Sequence, residues 1–242
     1  MQVRIFDSPE KVAQAAAVLV ASQILAKPNS VLGLPTGATP IPVYQELVRM
    51  HQSGIVSFAN ITSFNLDEYC GLPAGHQCSY RRFMQEQLFS HVDIPEGQFH
   101  LPDGNAKDLS LECKRYDAAI AEAGGLDLQL LGIGHNGHIG FNEPDEQFSY
   151  GSHVVNLTPE TKEANRYTFP HGEEMPKQAV SVGVGAIMGA KKIILVATGK
   201  GKAEILHRSM SGDITPMVPA SILRTHPNVL FLLDAEAASE LE

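Results

Sequence analysis

No tryptophan occurs among the 242 residues, and aromatic side chains make up only 7% of them. Positive charge is also scarce: Lys and Arg number 18 against 27 Asp and Glu, leaving a net charge of −9. That deficit argues against a nucleic-acid surface, although an acidic protein can still hold an anion in a locally positive site. Cysteine is sparse, with three residues, Cys70, Cys78 and Cys113, and no CxxC pair. An odd, scattered set excludes a disulfide scaffold and predicts a reducing, cytoplasmic setting. No apolar run reaches membrane-span length, so no membrane association is expected. The apolar stretch 15–21 follows a predicted strand and the acidic residues Asp7 and Glu10, so it reads as an amphipathic helix and not a signal peptide. Linkers, charge blocks and internal repeats are missing as well, which predicts one domain over residues 1–242.

Strand-like and helix-like segments alternate from end to end. QVRIF is followed by Ser8-Pro9, a cap and first-turn pair that opens a helix through residue 26. The strand SVLGL precedes a helix over about 41–51, stopped by Gly54. ITSFNL, helices over about 79–91 and 109–123, and the strand LDLQLLGI come next. A helix near 184–189, the strand KIILVAT, a helix from about Lys202, a helical turn at 220–224 and the strand NVLFLL complete the series. This order predicts an α/β fold: a single-domain, open, mostly parallel sheet with helices on both faces, Rossmann-like. Residues 146–177 have the weakest periodicity and read as a cover over the site.

Four loops that follow apolar strands carry residues a core does not need. In GLPTGATP, Thr36, Gly37, Ala38 and Thr39 offer backbone N–H groups to an anion at a helix start; a tight turn capped by Thr39 fits equally well. It is no Walker A loop, because the GK[ST] ending is missing. In ATGKGKAEI, Lys200 and Lys202 stand at a helix start, where cations are disfavoured unless an anion joins them. In SFNLDEYCGLP, Asp67 and Glu68 are adjacent on an extended chain, so only one of them enters a cleft; a solvated acidic turn is the commoner outcome. In LGIGHNGHIGFNEP, His135, Asn136, His138 and Glu143 cluster in a glycine-rich loop. Such a set suits proton transfer near neutral pH. A metal site is an alternative, since His and carboxylate bind zinc, but the glycines deny the helix that would set ligand spacing, and no HExxH is present. A structural role for the histidines is the remaining alternative.

Taken together, GLPTGATP, SFNLDEY, GIGHNGHIGFNEP, SVGVGAIM and TGKGKA resemble, in order and across nearly the whole chain, the glucosamine-6-phosphate deaminases. The related 6-phosphogluconolactonases share the fold and the Gly-His pair but match poorly after the histidine, where this chain continues Phe141-Asn142-Glu143-Pro144. The resemblance implies conversion of glucosamine 6-phosphate and water to fructose 6-phosphate and ammonia. It implies Asp67 as the enolisation base, His138 as the ring-opening residue, and Glu143 and Asn136 as its partners. It further implies Lys202 and Arg166 as phosphate-binding cations beside residues 36–39, although the spacing around Arg166 differs by one residue from longer members.

Chemistry supports the same assignment. The closed amino sugar has no acidic C2 proton, so a proton must first move from the O1 hydroxyl to the ring oxygen, a task for histidine. The C1 aldehyde then acidifies C2–H, and one carboxylate suffices to carry that proton to C1. Because the substrate brings its own carbonyl, neither pyridoxal phosphate nor a metal is required. Longer members carry Asp at position 136; Asn136 is expected to orient the His138 ring through its amide oxygen without adding charge, and Asn136→Asp to move the acid limb of the pH–rate profile upward. A lactonase of the same fold and a non-catalytic sugar-phosphate sensor are the competing readings, the latter disfavoured by the lack of a basic helix-turn-helix segment. The sequence is compatible with a homo-oligomer.

Overall fold

The computed structural model describes residues 1–73, 75–166, 169–170 and 172–241, excepting the side chains of 160 and 164. Its elements follow the predicted alternation: β1 (Gln2–Phe6), α1 (Pro9–Ala26), β2 (Val31–Leu34), α2 (Ile41–Gln52), β3 (Thr62–Asn65), β4 (Asp67–Tyr69), α3 (Tyr80–Gln87), β5 (Phe99–His100) and α4 (Leu109–Glu122). They continue with β6 (Leu128–Leu131), β7 (His153–Asn156), α5 (Pro159–Asn165), β8 (Gln178–Ser181), α6 (Val184–Met188), β9 (Ile193–Ala197), α7 (Ala203–Ser211) and β10 (Val229–Asp234).

Seven strands form one sheet in the order β1-β10-β9-β6-β2-β3-β5, and every pairing in it is parallel. The predicted α/β architecture is therefore the observed one. Strands β2, β6 and β9 are buried along their whole length, which is why they read as unbroken apolar runs. One face packs against α1, whose Val12, Ala16, Val20 and Ile24 recur one turn apart and are all buried, and against Tyr44 and Leu47 of α2. Tyr116 of α4, Ile187 of α6 and Leu206 of α7 close the other face. Ser8 starts α1 as expected, its hydroxyl accepting from the Lys11 N–H, with Pro9 in the first turn.

Three local expectations differ from the structure. Residues 79–91 are not one helix: α3 ends at Gln87, and a separate 3₁₀ turn spans Phe89–His91. Thr39 does not cap α2, whose cap position is Pro40 with no side-chain bond. The acidic pair after ITSFNL is not a solvated turn, because Asp67–Tyr69 form β4 of a second, three-stranded antiparallel sheet, β4-β8-β7. Asp67 there pairs with Ser181, and His153 with the same residue from the other side. Three residues are too few for periodicity to announce a strand, and its partner is remote in sequence.

The topology fixes where a ligand can sit. From β2 the chain moves outward to β3 and β5 on one side, whereas β6 lies on the other side of β2. Loops 35–40 and 132–144 thus diverge from the C-terminal ends of neighbouring parallel strands, the switch point at which open α/β sheets bind ligands.

Candidate active site

A cavity of about 400 Å³ opens at that switch point. Loop 36–39 after β2, Asp67 after β3, loop 132–141 after β6, and Lys202 after β9 all contribute to its wall. The four loops singled out in the sequence thus meet in one place. Tyr80, Thr161 and Asn165 join them from α3 and α5, three contributions with no signal in the sequence.

Asp67 and Glu68 diverge as adjacent residues of a strand must. Asp67 faces the cavity, and a Cβ on Gly140 would lie 3.6 Å from its Oδ2, so the carboxylate abuts the histidine loop. Burial, reinforced by the charge of Glu68, pushes the Asp67 carboxyl up to about 8. Glu68 turns the other way and is buried, 8% exposed. Its Oε1 accepts from the N–H groups of Tyr69 and Tyr80, each at 2.9 Å, and its Oε2 from that of Arg81, also at 2.9 Å. It closes the N-terminus of α3 and holds Tyr80 beside Asp67, with the Tyr80 hydroxyl donating to that of Tyr69 at 3.0 Å.

The histidine loop folds back on itself. The Gly134 N–H donates to the His138 carbonyl at 2.9 Å, and the Gly137 N–H to the Gly134 carbonyl at 3.1 Å. Gly137 takes φ +89°, a left-handed conformation that disfavours any side chain. The His138 ring then lies directly over Gly134, where a Cβ would stand 2.3 Å from its Cε1. His138 Nδ1 is 3.5 Å from Glu143 Oε2, an ion-pair separation that is long for a hydrogen bond. Glu143 is further held by the Asn136 amide, which donates to Oε2 at 2.7 Å, and by the Thr161 hydroxyl on Oε1. Burial works against its charge, yet His138, Thr161 and Asn136 hold Glu143 below the usual carboxylate range.

Asn136 corrects one expectation. Its amide oxygen accepts from the backbone N–H of His138 at 3.1 Å, so it sets the loop and Glu143, while Glu143 is the group that faces the ring.

Lys202 reaches inward from the turn after β9, and its Nζ donates to the Ile133 carbonyl at 2.8 Å. Burial lowers its ammonium to about 8. His135 lines the cavity next to it, and a Cβ on Gly201 would sit 3.8 Å from the His135 ring. Arg166 is not in the cavity wall; its guanidinium donates to the Glu173 carbonyl. The 146–177 segment is more regular than expected, since β7 and α5 lie within it; its Tyr167, Thr168 and His171 fall outside the described residues.

Comparison with known proteins adds lineage to this geometry. A glucosamine-6-phosphate deaminase of Alkaliphilus oremlandii is 48% identical over 241 residues, covering 100% of both chains. One of Clostridioides difficile is 48% identical, over 100% of this chain and 97% of its own. A solved monomeric glucosamine-6-phosphate deaminase superposes with a TM-score of 0.96 at 44% identity, covering 99% of this chain and 100% of that one. The 6-phosphogluconolactonase of Thermotoga maritima, at 19% identity and a TM-score of 0.77, shares the fold alone. The family described as glucosamine-6-phosphate isomerases/6-phosphogluconolactonase matches residues 7–231, and the chain belongs to it.

Proposed function

We propose that the protein is a glucosamine-6-phosphate deaminase, converting glucosamine 6-phosphate and water to fructose 6-phosphate and ammonia. The observation that carries this reading is a buried carboxylate, Asp67, placed in one cavity with a histidine, His138, whose ring is backed by an ionised Glu143. The full-length relatives at 48% identity bear that name. The phosphate lies against the N–H groups of Thr36, Gly37, Ala38 and Thr39 and the ammonium of Lys202. His138 moves the O1 proton to the ring oxygen and opens the sugar, while Glu143, set by Asn136 and Thr161, stabilises the imidazolium formed on the way. Asp67 then takes the C2 proton and returns it to C1. Water adds to the resulting C2 imine and ammonia departs.

The raised Asp67 has a physical consequence for this scheme. Burial keeps its proton on up to about pH 8, whereas the amine of the bound sugar, arriving as ammonium, supplies the opposite charge that draws the carboxyl back into its ionised form. Arg166 enters the phosphate site in this scheme only if it leaves the Glu173 carbonyl. The single domain with residues 146–177 as its cover fits the same reading, because Thr161 and Asn165 of that segment line the cavity. The sparse, odd set of three cysteines fits a cytoplasmic setting. Among the described residues no helix is long and apolar enough to cross a membrane.

The test is incubation of the purified protein with glucosamine 6-phosphate in the presence of a chelator, with ammonia and fructose 6-phosphate measured together. Equimolar release of both is expected. Turnover that stops under chelation and returns with a metal would overturn the scheme.

A further inference from the structure

The cavity wall holds three side chains able to carry positive charge among the described residues: His135, His138 and Lys202. The scheme above uses His138 for ring opening and Lys202 for the phosphate, and Arg166, turned to the Glu173 carbonyl, leaves the phosphate with one lysine. His135 stands at the same end as Lys202, its ring beside Gly201 in the turn that delivers the lysine. The backbone of Gly201 lies against the ring in the sense that favours its charged form.

We infer that His135 is the second phosphate-binding cation of this site, recruited in its protonated form when the dianion of a sugar phosphate arrives. The inference rests on the phosphosugar reading of the cavity and adds to it a proton taken up on binding. The titratable groups that face His135 are Lys202 and His138, and Lys202 has the larger effect: it drives the imidazole below its ordinary value, with burial acting in the same direction. Two basic side chains held this close disfavour each other's charge. A bound dianion reverses that balance, because each N–H directed at it becomes a charge-assisted bond. His135 is exposed and lines the same cavity as His138 and Asp67, so its ring is open to the phosphate of a sugar that reaches both of them.

Inorganic sulfate is a suitable probe, since it is a dianion that does not titrate near neutrality and any proton taken up must come to the protein. At pH 6.5 Lys202, at about 8, is already charged. Calorimetry in two buffers of different ionisation enthalpy should therefore show fractional proton uptake on sulfate binding to the parent protein and less for His135→Asn. In parallel, KM for glucosamine 6-phosphate should rise about three- to tenfold in His135→Asn at pH 6, with the gap narrowing above pH 8. Uptake and KM both unchanged in the variant would overturn the role of His135 while leaving the deaminase reading intact. No sulfate binding together with no turnover of glucosamine 6-phosphate would remove the phosphosugar reading itself.

Discussion

Asp67 shows at the residue scale how function and stability oppose each other. The unfolded chain ionises this carboxyl near pH 3.9, whereas the folded protein holds its proton to about 8. Below the unfolded value both states are protonated and Asp67 costs nothing. Between the two values only the unfolded state gains by ionising, so the folded state bears a penalty that grows with pH and levels off above about 8. Asp67→Asn should therefore raise Tm over the parent, by more at pH 8 than at pH 5, while kcat falls by about 10² to 10⁴-fold and substrate affinity is retained. Melting curves at the two pH values, read beside kcat, check both halves; a Tm difference that shrinks with pH would contradict the burial argument. That one carboxylate of the pair would face the cleft was legible from strand alternation. The fate of Glu68 was not, because the N–H groups that it binds belong to Tyr80 and Arg81, across an intervening loop.

Elements in this protein serve mainly to bring loops together, and α3 is the clearest case. It is a short helix of 8 residues, too short to persist by propensity alone, and the Glu68 carboxylate closes its first turn. Glu68→Ala leaves the N–H groups of Tyr69, Tyr80 and Arg81 without their acceptor, the first of them buried, and should destabilise the protein by about 2–4 kcal/mol. Because Tyr80 then loses its anchor beside Asp67, kcat should fall as well. Urea unfolding and kcat measured on the same preparation check this. A loss of stability below about 0.5 kcal/mol would show that the cap contributes little. The parallel strands and their order of alternation with helices could be read from apolar runs of the right length. The second sheet could not, since β4 has three residues and its partner β8 begins at Gln178.

At the scale of the whole molecule, the two ends of the sheet have separate tasks. Opposite the cavity, near the N-terminal ends of β2 and β6, the carboxylate of Asp127 accepts from the Val31 N–H at 2.8 Å, from Lys27 at 2.6 Å and from Lys191 at 2.8 Å. Burial opposes the charge, but Lys191 and Lys27 hold the Asp127 carboxyl below its ordinary value. The sign is the reverse of that at Asp67. The contribution is fully present above the unfolded value near 3.9 and is lost as pH falls through the lower folded one. Asp127→Asn should thus lower Tm at pH 7, with the difference closing below about pH 4, and leave kcat at pH 7 unchanged because the residue lies at the far end of the strands. A kcat that falls with Tm would mean that the two ends are coupled.

The sequence by itself determined the layered α/β architecture and the four glycine- and charge-bearing loops at strand ends, because apolar periodicity and glycine-rich turns are local properties of the chain, while its resemblance to the deaminases singled out His138, Glu143 and Asp67. Only the tertiary structure decided which groups meet. It turned Asn136 from the His138 ring to Glu143, aimed Arg166 at Glu173, brought Thr161 from α5 onto Glu143, and set His135 beside Lys202. Each of those contacts joins segments that the chain separates or a loop whose path depends on what packs around it. Side-chain direction in such places is fixed by packing and hydrogen bonding, not by spacing along the sequence.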